Sequence, residues 1–548
     1  MATGIRMDTV VSPSGRAGEL DVPVTGVVSD WDRCVSGTRP IALRVSAALL
    51  SLCMVPSALP QESGTGRTPV WRLGAFVSAS ATDNAFISST DPQSSIGTEF
   101  GFDVGVILPY RRVRGFADYT LTGSASRVDA TTYRHRNDLR AGLNAEVIES
   151  HAFLDLAATY GVQLGSAFGS PDRSLQVLNE NRLDTGTISV SPSLKTRLGE
   201  SGRAEARAVE SITKYRGSST GDIHSQAGTL LFDSGVRARA LTWKGTAYGA
   251  IYDPEEGRRT TEASVRGDVG WAFDAETVVS VVAGREGNDF EASRRVYNDL
   301  YGLSVDYRPN DRTRLYAEGL HRFFGTGYSA SLSYRLPHFA LIATSSRSNS
   351  RPGLGLESSN AFGYGSAYDI LFLQLSSVEP DPDRRRILVQ DLLTTNGIDP
   401  TQQVLPTIVT SGVLLVHETA VSAIWTGVRN SITFSFNQGS RRRLGQLVSL
   451  PVNDDFRTED RIDQVGAQAT WMRRLTPNDD LSVALAWTRA EGDVTLRSSN
   501  SRSAQVHWSR KVGARSAFAV TVSHESLETS AEPNYNVNLL SCEYRVRF

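Results

Sequence analysis

The chain has 548 residues, with 57 Lys or Arg against 59 Asp or Glu and a formal charge of −2. So near-neutral a balance excludes nucleic-acid binding, which needs a strongly basic face. With 40% hydrophobic and 21% charged residues, the chain is too apolar for disorder. It is also too polar for a helical membrane bundle, and no uncharged apolar run reaches the roughly 18 residues of a spanning helix. A β-barrel passes the same test, because its strands are apolar only at every second position.

Residues 1–38 read as a non-structural extension, and residues 39–60 as a secretory signal. Arg39 and Arg44 precede an apolar core from Val45 to Val55, small residues follow, and cleavage falls near Ser57 or Ala58. Translation then starts further in, or the extension leaves with the signal. Cys34 and Cys53 go with that segment and Cys542 remains alone, so neither a disulfide framework nor a paired-cysteine metal site is expected. After a linker at 61–70, residues 71–548 read as one domain.

From Trp71 onward the hydrophobic period is two. Phe100, Phe102, Val104, Val106 and Leu108 alternate with Gly101, Asp103 and Gly105. Val265, Val269, Trp271 and Phe273 oppose Arg266, Asp268 and Gly270, and Leu481, Val483, Leu485 and Trp487 oppose Ser482, Ala484, Ala486 and Thr488. Such runs match the roughly 9–11 residues of a tilted membrane-crossing strand. They predict an all-β protein, a closed antiparallel transmembrane barrel of about 22 strands, within a range of 18 to 24. Links after even strands are short and most of those after odd strands longer and more polar, which puts the long links outside the cell. A β-propeller would repeat a blade motif, and none recurs. A soluble sandwich would use strands of about 5 or 6 residues.

The last strand sets Leu540, Cys542, Tyr544, Val546 and Phe548 against Ser541, Glu543, Arg545 and Arg547. An aromatic C-terminus closing an amphipathic strand resembles the signal read by the outer-membrane barrel assembly machinery. Leu540, Tyr544, Val546 and Phe548 are its expected assembly residues.

The strand rhythm stops between residues 363 and 410, where two short helices are expected. Asp381 is placed to cap the second, Pro382 to begin it and Gly397 to stop it. By strand parity this insertion belongs to an outside link, as a loop decoration or as a plug folded into the lumen. Arg384, Arg385 and Arg386 form a solvated face, or one that meets acidic sugar or lipopolysaccharide phosphate.

Four segments together resemble a known family: ATDNAFIS at 81–88, IGTEFGFDVGVILPYRRVRGFADYTL at 96–121, the insertion ending NGIDP at 396–400, and GAQATWMRRLTPNDDLSVALAWTRAE at 466–491. The family is the outer-membrane β-barrels associated with PEP-CTERM and exosortase systems, found with exopolysaccharide gene clusters. The resemblance covers roughly residues 70–548. It implies an outer-membrane location and a link to polysaccharide export or surface sorting, and it supplies no catalytic residues.

The eight histidines stand at no metal-ligand spacing and read as loop, turn or interfacial residues; no nucleophile or zinc motif occurs. No catalytic, cofactor-binding or metal residue is therefore assigned, and no enzyme activity or cofactor is expected. If the apolar sets face lipid, then Asp103, Asp118, Arg140, Glu146, Asp155, Arg266 and Asp268 line a wet lumen, with Asp306, Arg308, Arg335, Arg510, Glu543, Arg545 and Arg547. These charges either favour a hydrogen-bonding solute such as a sugar or only pair across neighbouring strands. The expected function is a conduit or assembly platform for exopolysaccharide or surface-sorted proteins. The alternative is a closed barrel acting as a surface scaffold or adhesin. Expected partners are outer-membrane lipid, lipopolysaccharide, the barrel assembly machinery and polysaccharide.

Overall fold

The computed structural model describes residues 68–548 except 128–130, 173, 200–201, 218–220, 235–239, 351–367, 369–370, 373–374, 376–378, 380, 397, 399–404, 406–407, 446–449, 452 and 531–532. The extension, the signal segment and Gly397 lie outside the described residues.

The strands are β1 (Val70–Thr82), β2 (Ser95–Pro109), β3 (Val113–Arg127), β4 (Thr131–Ile148), β5 (Ala152–Leu164), β6 (Arg182–Arg197), β7 (Arg203–Arg216), β8 (Ile223–Asp233), β9 (Leu241–Pro254), β10 (Thr260–Ala272) and β11 (Thr277–Asn288). They continue as β12 (Val296–Asn310), β13 (Thr313–Arg322), β14 (Gly325–Leu336), β15 (Phe339–Ser350), β16 (Leu414–Thr426), β17 (Asn430–Arg443), β18 (Arg461–Arg474), β19 (Asp479–Gly492), β20 (Ser498–Gly513), β21 (Ser516–Thr529) and β22 (Tyr535–Arg547). Among the described residues, helix α1 (Pro382–Thr395) stands in the link between β15 and β16.

All 22 strands belong to one sheet, each antiparallel to its sequence neighbours. The sheet closes on itself: β1 pairs with β22 from Gly74 opposite Arg547 to Thr82 opposite Leu539. The Phe548 amide adds a hydrogen bond to the Leu73 carbonyl at 2.9 Å. Closure leaves no sheet edge to desolvate, the condition for crossing hydrocarbon with strands.

The register keeps the two faces apart around the ring. Val265 is 63% and Leu485 54% exposed on the outer face, whereas Ser191, Ser211 and Ser225 are wholly or almost wholly buried on the inner one. Trp71, Trp243, Trp271 and Trp425 stand on outward positions at the end of the barrel that also carries the chain terminus Phe548. The links there, such as 110–112, 337–338 and 514–515, are tight turns. That end is the periplasmic one, ringed by the aromatic girdle that belongs at a membrane interface. The chain is an outer-membrane β-barrel.

Loop lengths depart from the expected sorting in one respect. Outside links 128–130 and 323–324 are as short as the periplasmic turns, and the asymmetry rests on 83–94, 165–181, 351–413 and 444–460. The last three have buried apolar residues to place, and they fold over or into the lumen.

Arginine in place of Leu485, outward on β19, should cost about 2–4 kcal/mol of folding stability in lipid. Denaturant titration in phospholipid vesicles reads that loss; an unchanged midpoint would mean that this face does not meet hydrocarbon.

Candidate functional site: a plugged lumen with a polar slot

The insertion lies inside the barrel. Asp381 caps α1 by accepting from the amides of Asp383 (2.9 Å) and Arg384 (3.4 Å), with Pro382 in the first turn as expected. Helical residues Tyr368, Leu371 and Phe372 precede it, and Asn396 closes its C-terminus through two bonds to the Leu392 carbonyl. Val389 and Leu393 are fully buried in a cluster with Tyr368, Leu371 and Leu375 of the insertion, set against inward Ala340 on β15 and Ile424 on β16. Each such side chain favours docking by roughly 1.5–3 kcal/mol over exposure.

The C-terminal end of the plug is latched to the wall at β19 and β20, near the periplasmic end. The orphan carbonyl of Thr395 accepts from His507 Nε2 (3.1 Å) and Ser509 Oγ (2.9 Å) of β20, and that of Asn396 from Ser482 Oγ (2.9 Å) of β19. These wall donors satisfy helix-end groups that have no intrahelical partner. Arg386 stacks over Phe116 of β3 at 3.9 Å and Arg140 of β4 over Tyr368 at 3.9 Å. Asp391 pairs with Arg547 of β22 at 3.1 Å.

Two expectations are thereby corrected. Arg384 is exposed, but Arg385 and Arg386 are not a solvated face. Arg385 lies over Phe372 at 4.7 Å and donates to the Glu379 carbonyl at 2.8 Å, because the helix sits among aromatic rings rather than in solvent. His507 is no loop or interface residue: it is buried on the inner wall, and its bond to the Thr395 carbonyl assigns the proton to Nε2, leaving Nδ1 to accept from Thr521 Oγ1 at 2.8 Å.

Most of the predicted lumen charges do face inward, in pairs along one strand or between strands. Arg545 donates to Asp103 (3.0 Å) and Glu543 (2.8 Å), Arg207 to Asp155 (2.8 Å), and Arg266 to both Asp268 (2.9 Å) and Glu318 (2.7 Å). Arg308 and Arg314 share Asp306, and Arg72 bonds Asp118. Glu146 accepts from the Ser150 amide at the periplasmic turn, and Arg335 stands opposite inward Ala340. Arg510 lines the slot at its periplasmic edge, yet it stands on the register of outward Val506 and Trp508 and pairs with Asp479 at 3.7 Å. At that strand end the outer face has left the hydrocarbon, so a charge is tolerated on the apolar register.

Over the outer mouth, link 165–181 forms a strap. It leaves β5 and is held across the barrel: Asp455, in link 444–460, accepts from Ser166 Oγ (2.9 Å), the Ala167 amide (2.8 Å) and Arg497 (3.2 Å). Ser499 Oγ and Thr529 Oγ1 donate to the carbonyls of Ala167 and Phe168. Phe168 packs with Ile408, Leu450, Phe456 and Ile462, and Val177 with Leu527, Tyr535 and Val537; both are wholly buried. Arg134 of β4 holds the return arm through the carbonyls of Leu175 (2.8 Å) and Val177 (3.0 Å). Gln176 lies on Gly97 and donates to Glu99 at 3.0 Å; a Cβ at position 97 would overlap its amide.

Between strap, plug and wall runs a slot of about 610 Å3, reaching from Gln176 under the strap to Arg515 and Arg547 at the periplasmic end. Its sides mix hydroxyls and amides such as Thr120, Gln163, Gln390 and Gln505 with apolar residues such as Val162, Leu175 and Leu393, and Arg136 and Asp138 pair there at 2.8 Å. Thr122 and Thr185 belong to its lining, with their Oγ1 atoms buried and without a hydrogen-bond partner among the described residues.

Strand parity alone located neither strap nor slot. The length of link 165–181 and the acidic pair Asp454–Asp455 were the available signals, but the contact that joins them spans most of the chain.

No protein-family model and no curated protein matches the chain. Among solved structures it is similar to the FrpB iron transporter from Neisseria meningitidis, with 8% identity and a TM-score of 0.45, covering 87% of this chain and 81% of that one. It is also similar to the siderophore receptor PirA from Acinetobacter baumannii, with 9% identity, a TM-score of 0.42, and 88% and 81% covered. A mutant ferric enterobactin receptor from Pseudomonas aeruginosa gives 10% identity and a TM-score of 0.42, with 87% and 81% covered.

Proposed function

We propose that this barrel is a gated conduit for an extended surface glycan, the exopolysaccharide that its resemblance to the exosortase-associated barrels implies. The slot supports this reading above all: hydroxyls, amides and charged groups alternate with apolar side chains along its walls, as the hydroxyls and ring faces of a sugar chain require, and it starts at the periplasmic end. A narrow, plugged passage suits a single sugar chain better than a folded surface-sorted protein. In the same reading the outward Leu540, Tyr544, Val546 and Phe548 present the terminal strand to the barrel assembly machinery, and the outward apolar face meets lipid and, toward the outer mouth, lipopolysaccharide.

Cells lacking the protein should retain polymer in the periplasm and lose it from the surface, scored by labelled lectin before and after outer-membrane permeabilisation. Unchanged surface polymer would reject the conduit. A closed scaffold remains the second reading, favoured by the apolar clusters that roof the mouth. It predicts normal export and loss of surface adhesion instead.

A further inference from the structure

We infer that the periplasmic end of the slot binds carboxylate-bearing sugar residues, with Arg547 exchanging Asp391 for the carboxylate of the guest. The inference rests on the conduit reading and specifies its substrate class.

The slot changes character along its length. Under the strap its lining carries hydroxyls, with Arg136 paired to Asp138 and Glu99 held by the Gln176 amide, and no unpaired cation stands there among the described residues. At the periplasmic end Lys511, Arg515, Arg545 and Arg547 line it, against Glu543 of the wall. Arg545 is committed to Asp103 and Glu543. Lys511 and Arg515 are exposed and make no ion pair with any described residue. The mouth is thus a cationic collar opening into a hydroxyl-lined passage, which matches a polymer carrying carboxylates spaced among hydroxyls. Guanidinium and ammonium groups recognise such anions through charge-assisted bonds.

The same collar reaches the plug. Asp391 is itself a carboxylate on Arg547, with both side chains close to half exposed, at 43% and 48%. Water reaches the pair, so a guest carboxylate held by Lys511 and Arg515 can compete for Arg547. Asp391 lies four residues before Thr395, whose carbonyl carries the His507 and Ser509 latch. Exchange at Arg547 therefore loosens the end of α1 that closes the slot, and guest arrival is coupled to plug release.

Calorimetric titration of the full-length protein in detergent, with octagalacturonate and with neutral maltooctaose, tests this. The acidic octamer should bind at least tenfold more tightly, with an affinity that falls steeply with salt. A Lys511→Gln/Arg515→Gln double variant should lose most of that margin. Asp391→Asn, which frees Arg547, should tighten acidic binding several-fold and leave neutral binding unchanged. Both substituted collar residues are exposed, and heat-modifiable migration confirms that the barrel still forms. Equal binding of the two octamers would overturn the collar and leave a neutral-glycan conduit standing; binding of neither would remove the conduit as well. Displacement of the acidic octamer by equimolar inorganic phosphate would reduce the collar to a general anion site and also overturn the inference.

Discussion

Excising residues 363–404 in favour of a short Gly/Ser linker should turn a barrel without steady current into one showing large, stable conductance steps in planar bilayers, an increase of an order of magnitude or more. The excision is structurally permissible because β15 and β16 are neighbours, paired from Phe339–Trp425 to Ser350–Leu414, so any short hairpin can join them. It removes α1 with its apolar contacts to Ala340 and Ile424 and its latch to Ser482, His507, Ser509 and Arg547. Leu405 and Ile408–Val413, which pack into the outer cap, remain. A closed sheet of 22 strands encloses far more space than side chains alone can fill, so what the insertion vacates becomes water. Heat-modifiable migration should be unchanged, since no strand pairing is lost. A variant that folds and stays silent would show that the cap seals the barrel by itself, and would favour the closed scaffold.

The barrel was legible in the sequence for a physical reason: lipid and water lie on opposite faces of each strand, so the period of two survives in residues such as Phe100–Leu108 and Leu481–Trp487 whatever lies elsewhere in the chain. Closure followed from the amphipathic last strand, whose alternation from Leu540 to Phe548 recurs in its pairing with β1. The inside of the barrel was much less legible. Parity could say that the insertion left from the outer rim, but whether it turned inward depends on distant partners: Phe116, Arg140, His507 and Arg547. The run Arg384–Arg386 looked solvated because its rings, Phe116 and Phe372, are remote in sequence or hidden in an irregular segment. Arg510 stands at the border of the two faces. Its own strand placed it on the apolar register with Val506 and Trp508, and its charge alone suggested the lumen. Strand ends past the hydrocarbon obey no inside-outside rule.

Replacing Asp455 by alanine should free the strap. This carboxylate, 2% exposed, is the single acceptor for Ser166 Oγ, the Ala167 amide and Arg497. Removing it strands a buried amide and unpairs a part-exposed guanidinium, at a cost of about 2 kcal/mol, or roughly thirtyfold in the open population. Limited proteolysis within 165–181 should accelerate accordingly, and the slot should admit a bulky labelled maltooctaose from the outer side. The neighbouring Asp454 gives the same cap a dependence on pH. Buried at the start of the short 3-10 turn 455–457, it accepts from the Phe456 amide at 2.9 Å, yet burial pushes its carboxyl up to about 6. Exposed in an opened loop it would return to the ordinary value near 4. The closed cap therefore binds a proton that the open one does not. Its advantage is fully present below pH ~4, declines between ~4 and ~6, and is gone above, a swing of up to roughly 3 kcal/mol. Hydrogen exchange at 453–459, corrected for intrinsic rates, should show protection falling as pH rises through that window and flattening beyond it. Asp454→Asn, which stays neutral, should remove most of that fall and leave only the part that belongs to Asp455, whose carboxyl burial also pushes up. Protection that instead grows with pH would mean that the carboxylate is stabilised in the closed cap, and that burial does not govern its titration.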